Sequence, residues 1–446
     1  MKLKKIFFVI IGSILSLSLS QVSFAQFSLS PPNINAVPLP TGSGARAIAQ
    51  GSAFIAVADD ATAASWNPGA LIQLEKPELS VVSSFLVTDQ DFDPGFTGLS
   101  LGNESVSRDD LNYASAAYPF RIFGKNMVAA LNYQQIYDFH MDLDFGLSID
   151  EPSPPSLNYK QKIEFESKGG IGALTPALSV LVTPKISVGI AVNIFTDEFF
   201  GDYAWKQTTE ANGSGNLDGM DITTTYNSET KFEDFQAINL TFGVLWDIWE
   251  REDKLLTFGA VFDTPYTADV DRVTNTTSIT NPLGQSKLHN REEMEIDYPM
   301  SFGAGFGFRY NDALSFSFDV TWTDWSTFEQ EDEAGNESRP LGGASTDREI
   351  DDTLAVRTGV EYLIFRKKII IPIRGGLFYD PRPSLGNPTD VYGFSIGSGV
   401  STKRFSLDAA YQFRWANEVD GEDFGLSDTH FEFNEHMFLT SLIVYF

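Results

Sequence analysis

From Pro77 onward, apolar and polar positions alternate with a period of two. Leu314, Phe316, Phe318, Val320 and Trp322 are interleaved with Ser315, Ser317, Asp319 and Thr321. Phe302, Ala304, Phe306, Phe308 and Tyr310 are interleaved with Ser301, Gly303, Gly305, Gly307 and Arg309. Phe405, Leu407, Ala409, Tyr411, Phe413 and Trp415 repeat the pattern. Alternate residues of a strand point to opposite faces, so this pattern predicts strands with one dry face and one small, polar or charged face. One alternating strand also fits a soluble sandwich. Repetition decides the matter: about fourteen such segments fall near 77–90, 108–122, 125–147, 158–182, 185–208, 226–249, 254–272, 286–310, 312–330, 350–365, 368–381, 390–401, 404–418 and 430–446.

The links between segments alternate in length. Short ones fall at Phe123-Gly124, Thr183-Pro184, Trp249 to Asp253, Asn311, Arg366-Lys367 and Thr402-Lys403. Long ones, expected to be outer loops, fall at 91–107, 148–157, 209–225, 273–285, 331–349, 382–389 and 419–429. Outer-membrane barrels have short periplasmic turns and long outer loops, and an even strand count returns both ends to one side. The expected fold is therefore all-β, a 14-stranded antiparallel transmembrane β-barrel in a bacterial outer membrane. The last segment agrees, with Phe438, Thr440, Leu442, Val444 and Phe446 on one face. Its aromatic end resembles the signal by which such barrels are recognised for assembly.

Two N-terminal stretches break the pattern. Lys2, Lys4 and Lys5 precede an apolar run from Ile6 to Leu19 and a small-x-small end at Ser23-Phe24-Ala25. The run is shorter than the roughly 20 residues a membrane helix needs, so 1–25 is read as a secretory signal peptide. Residues 26–76 carry few charges and many small side chains, among them the run Gly42 to Gly51 and the stretch Ala53 to Ala64. Such a stretch cannot build its own core, and it reads as a plug or arm packed against something larger, the barrel that spans 77–446.

Composition then narrows the function. The chain has 446 residues, 31 basic and 60 acidic, for a net charge of −29. That balance argues against nucleic acid as a partner, because phosphate contacts need a Lys/Arg surplus. With no Cys there is no disulfide, thiolate site or lipid-anchoring Cys. Gly393-Phe394-Ser395-Ile396-Gly397 fits G-x-S-x-G but lies inside an alternating strand, where a nucleophile elbow needs a strand-to-helix turn. His140, His289, His430 and His436 make no metal-ligand spacing. The acidic stretch Glu329 to Glu333 is either a solvated loop or a loose divalent-cation site. No cofactor is implied.

The run Gly44-Ala45-Arg46-Ala47 through Gly51 to Ala61, followed by Trp66-Asn67-Pro68-Gly69-Ala70-Leu71, resembles the FadL/TodX family of outer-membrane transporters. Tyr298 to Gly303, Thr323 to Ser326 and Arg374 to Asp380 extend the resemblance over nearly the whole mature chain. It implies a 14-stranded barrel with an N-terminal hatch, a motif at Asn67, Pro68 and Gly69 where the family has Asn-Pro-Ala, and a monomer. It also implies passive uptake of a fatty acid or aromatic hydrocarbon. The ligand would bind in the lumen and leave sideways into outer-membrane lipid, through a gap made by a kink in the third strand, here near 125–147.

With aromatic faces toward lipid, parity turns Arg309, Arg357, Arg374 and Arg414 inward. One or two of them would receive a ligand carboxylate, since the guanidinium fork matches it. The competing reading pairs them with Glu361, Asp380 or Asp408 in the wall. A polar-solute porin would need an open lumen, and an outer-membrane enzyme would need a Ser/His/Asp set that the sequence does not assemble.

Overall fold

The structure is a computed structural model that describes residues 31, 39–40, 42–93, 99–101, 104–152, 156–197, 203–341, 348–424 and 429–446. The signal segment 1–25 and most of 26–41 lie outside the described residues. The chain divides into Met1–Pro31, of which only Pro31 is described, and Pro32–Phe446, which holds everything discussed below.

Fourteen strands form one closed ring. In chain order they are β1 (Glu78–Asp93), β2 (Glu104–Ile122), β3 (Lys125–Asp138), β4 (Leu157–Thr183), β5 (Ile186–Thr196), β6 (Met220–Arg251) and β7 (Lys254–Asp263). They continue as β8 (Ser301–Arg309), β9 (Leu314–Thr323), β10 (Thr353–Phe365), β11 (Ile370–Tyr379), β12 (Tyr392–Ser401), β13 (Phe405–Asp420) and β14 (His430–Tyr445). Each pairs antiparallel with the next, and β1 closes the ring on β14 from Glu78↔Tyr445 to Asp93↔His430. Closure gives every strand a partner on each side, as hydrocarbon demands because unpaired backbone groups are costly there, and the β2–β3 seam is paired only part-way. The expected short links are all observed as tight turns. At Phe123-Gly124 both residues take positive φ, 52° and 75°, the two-residue hairpin geometry.

Parity is as predicted. Phe306, Phe316, Phe318, Leu407 and Phe438 face outward, 44–51% exposed, which in a barrel of this class means exposure to lipid. Gly303, Gly305 and Gly307 face inward and are buried.

The long links are the main correction. Most of 209–225 and 273–285 is strand, not loop: Trp205–Leu217 pairs with the first part of β6, and Tyr266–Asn281 pairs with both β6 and Gly284–Tyr298. Met141–Glu151 likewise pairs with the first part of β4. These pieces form a second, outer sheet that grows out of the barrel wall. Runs such as Thr223-Thr224-Thr225 and Thr274-Asn275-Thr276-Thr277 are β-formers without apolar alternation, so the period-two test passes over them. Near its base the outer sheet carries one apolar cluster, where Trp205 stacks between Phe139 and Phe232 at 4.3 and 4.0 Å. Tyr266 stacks between Phe195 and Tyr298 at 4.5 and 4.8 Å.

Inside the ring runs the segment from Gly42 to Pro77. It has two short helices, α1 (Ala45–Ala49) and α2 (Ala63–Trp66), and a 3-10 turn at Pro68–Gln73. Helices this short do not persist alone, so the wall must hold them. Ala45 N–H donates to Ser441 Oγ of β14 at 2.7 Å, Gly51 N–H to Ser395 Oγ of β12 at 2.8 Å, and Ile55 N–H to Asp319 Oδ2 of β9 at 2.8 Å. Asn67 Nδ2 donates to the Val244 carbonyl of β6 at 3.0 Å, Ser187 Oγ of β5 to the Gly69 carbonyl at 2.8 Å, and Tyr113 Oη of β2 to the Ala61 carbonyl at 2.8 Å. Anchors on six strands around the ring put the segment in the lumen.

Close approach explains the wall glycines. A Cβ on Gly376 would lie 2.1 Å from the Gly51 nitrogen, and Gly51 itself turns at φ +64°. Gly376→Val is therefore expected to push the inner segment off the wall while leaving the β10–β11–β12 ladders intact. Overpacking of about 1–3 kcal/mol should raise the rate of proteolysis within 42–76 by at least about fivefold, with the barrel's heat-modifiable band unchanged. Equal proteolysis of the two proteins would refute the contact.

Candidate functional site

Two strands and one loop bring arginines to the lumen on the outer side of the inner segment. Arg357 of β10 and Arg414 of β13 line a cavity of about 300 Å³, whose floor includes Ala64 and Ser65. Arg382, in the loop after β11, lines it too. Arg357 Nη2 donates to Asp380 Oδ1 at 2.8 Å and Nη1 to Thr321 at 3.1 Å. Arg414 Nη1 donates to Glu435 Oε1 at 3.2 Å, and Arg382 Nη2 reaches Glu435 Oε2 at 3.5 Å. Three guanidinium groups thus share two carboxylates. Nε of Arg382 and Nε of Arg414 are buried without a hydrogen-bond partner. Asp263, on another part of the cavity wall, is occupied by Thr241 at 2.6 Å and Ser301 at 2.8 Å. Buried donors without acceptors are costly, and such groups mark a place where a ligand's acceptor fits.

Arg382 and Pro383 also border a narrow pocket of about 50 Å³, lined by Leu86, Val106, Met141, Val419, Phe431 and Phe433. The Arg382 guanidinium lies 3.9 Å from the centre of the Phe433 ring. Asp423, in the turn after β13, lines the same pocket. Burial pushes its carboxyl up to about 6, opposed by a 2.7 Å hydrogen bond from Leu385 N–H. The arrangement is an apolar slot that also carries Arg108, His140 and Arg382 against Asp138, Asp423 and Glu435.

The narrow pocket leads to a defect in the wall. The β2–β3 ladder runs from Ile122↔Lys125 to Tyr113↔Gln134 and stops there. Beyond that point β2 stays paired with β1 out to Glu104, and β3 stays paired with β4 out to Asp138. A bulge at Ile136 and a break at Phe139-His140 turn the third strand away before the chain resumes in the outer sheet. Gly146 pairs within that outer strand and takes no part in the break.

The other predicted residues fall elsewhere. Arg374 is buried in the wall between Glu361, at 2.6 Å, and Asp408. Glu361 also receives Arg46 of α1 at 3.2 Å. Arg309 is exposed at the end of β8 beside the short turn and lines a separate cavity of about 250 Å³ with Arg46 and Asp59. Asn67 Oδ1 accepts from Gly69 N–H at 2.9 Å and its Nδ2 holds Ile55 and Val244 carbonyls, so Asn67-Pro68-Gly69 forms a capped turn against β6. A Cβ on Gly69 would lie 2.8 Å from the Gly243 carbonyl oxygen, which accounts for Gly there. Ser395 of the G-x-S-x-G run serves as an anchor for Gly51. In the acidic stretch, Asp332 is held below the usual carboxylate range by hydrogen bonds from Asn336, and no metal-binding group is found among the described residues.

Sequence reasoning missed Arg382, Glu435, Arg108, Asp138 and His140. Glu435 was within reach: β14 puts even numbers outward, so Glu435 points inward beside Arg414, its register partner. Arg382 carried no such signal, because it lies in a loop where parity does not apply.

The profile of the outer membrane protein transport family (OMPP1/FadL/TodX) matches residues 35–435. The chain belongs to this family. Its fold is shared by a Pseudomonas aeruginosa FadL homologue, with 16% identity and a TM-score of 0.60 over 93% of this chain and 100% of that one. The Pseudomonas putida toluene transporter TodX gives 11% identity and a TM-score of 0.56, over 92% and 100% of the two chains. The Ralstonia pickettii toluene transporter TbuX gives 14% and 0.53, over 91% and 98%. No curated protein matches the sequence. The protein is therefore an outer-membrane β-barrel of the FadL/TodX family of hydrophobic-compound transporters. That family consists of transport channels rather than enzymes.

Proposed function

We propose that this FadL/TodX-family protein takes up an amphipathic hydrophobic molecule with a carboxylate head, of the long-chain fatty acid type, and releases it sideways into the membrane. The observation that carries the reading is the Arg382–Arg414 pair sharing Glu435, each with an unpartnered Nε–H, Arg382 bordering both the apolar pocket and the larger cavity and Arg414 lining the larger cavity. Arg382 and Arg414 seat the head group and Arg357 flanks it. Arg374 and Arg309 lie away from this cavity and take no part in seating it. The segment 42–76 acts as the hatch that closes the straight route, and the β2–β3 seam provides the lateral exit.

A second reading, uptake of an aromatic hydrocarbon, draws support from the Phe139–Trp205–Phe232 and Phe195–Tyr266–Tyr298 stacks near the cavity and from likeness to two toluene transporters.

Titration of oleate and methyl oleate into the detergent-solubilised protein separates the two. Hydrogen bonds to charged groups are worth about 1.5–3 kcal/mol, so Arg382→Gln and Arg414→Gln should each weaken oleate about 10- to 100-fold and leave the ester within about twofold. Equal affinity of the unaltered protein for acid and ester, with toluene binding in competition, would favour the hydrocarbon reading instead.

A further inference from the structure

We propose that Arg108 and Asp138 form a latch across the β2–β3 seam, and that the carboxylate of the transported molecule opens it by displacing Asp138 from Arg108. The inference rests on the lateral-release reading above and adds to it the groups that gate the exit by ligand chemistry.

Where the backbone ladder between β2 and β3 ends, Leu39–Pro40 pairs with the edge of β3 at Asp138 and Tyr137, and across to β2 the link is a side-chain pair. Arg108 stands on the part of β2 that has left β3, and Asp138 is the last residue of β3. Arg108 Nη2 is ion-paired with Asp138 Oδ2, and the two side chains are 12% and 1% exposed. Asp138 also fixes the break: its Oδ1 accepts from His140 N–H at 3.1 Å and contacts His140 Nδ1 at 2.7 Å. The carboxylate therefore holds both the gap and the bend beside it. Asp110, on β2 itself, adds a contact to Arg108 Nε at 3.5 Å.

The latch is also within reach of the cargo. Arg108, Asp138 and His140 line the narrow pocket together with Arg382 and Glu435. An acid held at Arg382 lies one pocket-length from Arg108. Its carboxylate is the same chemical group as that of Asp138 and competes for the same guanidinium fork. Removing one partner from a buried ion pair leaves a bare charge and is strongly unfavourable. Exchanging one carboxylate for another leaves Arg108 paired throughout, while His140 retains its hydrogen bond to Asp138. An ester or a hydrocarbon brings no such group, so it does not release Asp138. Acid selectivity would then be set twice, once in binding and once at the exit.

The test uses the full-length protein in lipid vesicles, with oleate and methyl oleate flux followed alongside oleate binding. Asp138→Asn keeps the side-chain shape and removes the charge. It should raise ester flux about tenfold, the discount expected for losing a charge-assisted bond, and bring the acid-to-ester flux ratio close to one. In a second variant, R108C/D138C, the only two thiols in the chain can be joined by a short reducible bis-thiol cross-linker. Cross-linking should cut flux of both compounds at least about tenfold, and reduction should restore it, because the seam is then held by a bond that no ligand displaces. An unchanged acid-to-ester flux ratio in Asp138→Asn, together with unimpaired flux through the cross-linked protein, would overturn the latch while intact oleate binding left the head-group reading standing. Equal binding of acid and ester by the unaltered protein would overturn the head-group reading and the latch with it.

Discussion

Removing residues 26–76 is expected to convert a silent barrel into a steadily conducting pore. The ring of fourteen strands is complete without that segment, since β1 begins at Glu78 and pairs with β14 from its first residue. The interior of a ring this size lies between the eight-stranded barrels that side chains fill and the 16-stranded ones that leave a channel. Here the filling is supplied by α1, α2 and the 3-10 turn, and by the close fit of Gly51 against Gly376 and of Pro68 against Gly189. Once they are gone, Ser179, Ser187, Asp319, Ser395 and Ser441 lose backbone partners but gain water, so the wall stays satisfied. Planar-bilayer recording should show conductance rising from none to a steady level in the deleted protein, with the intact protein silent. A large steady current through the intact protein, unaffected by the deletion, would end the hatch reading and favour a polar-solute porin.

The barrel was legible because each of its strands separates lipid from lumen, and that contrast writes itself into the sequence as Phe against Gly or Ser. The outer sheet has no such contrast. Both faces of the Tyr266–Asn281 and Gly284–Tyr298 hairpin are largely polar, so its strands resemble loops until the register is seen. Parity placed Arg309, Arg357, Arg374 and Arg414 on the inner face; the last three line the cavity or the wall, and Arg309 is exposed at the end of β8. It could not separate a guanidinium that meets the cavity from one that meets carboxylates, because that depends on which neighbours lie across the ladder. Arg374 faces Glu361 in register and Asp408 from β13, while Arg414 must share Glu435 with a residue from a loop. The seam was invisible for a related reason. Glu104 to Asp110 of β2 carries no apolar alternation, and only the pairing shows it to be a strand that has β1 on one side and no β3 on the other.

The same distinction gives the largest expected effect on stability. Arg374→Met is expected to destabilise the barrel by about 3–5 kcal/mol, the usual consequence of stripping one partner from a buried ion pair. Its side chain is 5% exposed, and those of Glu361 and Asp408 are 6% and 4% exposed, so water cannot take over the lost charge. Asp408 would keep only Ser406, at 2.9 Å, and Glu361 only Arg46, at 3.2 Å. The damage should therefore extend to α1, because Glu361 is the group that ties Arg46 to the wall. Adding Glu361→Gln and Asp408→Asn removes the stranded charges and should recover most of the loss, since neutral groups of the same shape are far cheaper to bury. Arg46 tolerates that change through Asp59 and Asp60, its other acidic neighbours. Urea unfolding in lipid vesicles measures both steps. The acid-over-ester preference in binding should be the same in Arg374→Met as in the unaltered protein, in contrast to Arg414→Gln. A loss of that preference, with less than about 1 kcal/mol of destabilisation, would mean that Arg374 faces the ligand rather than the wall.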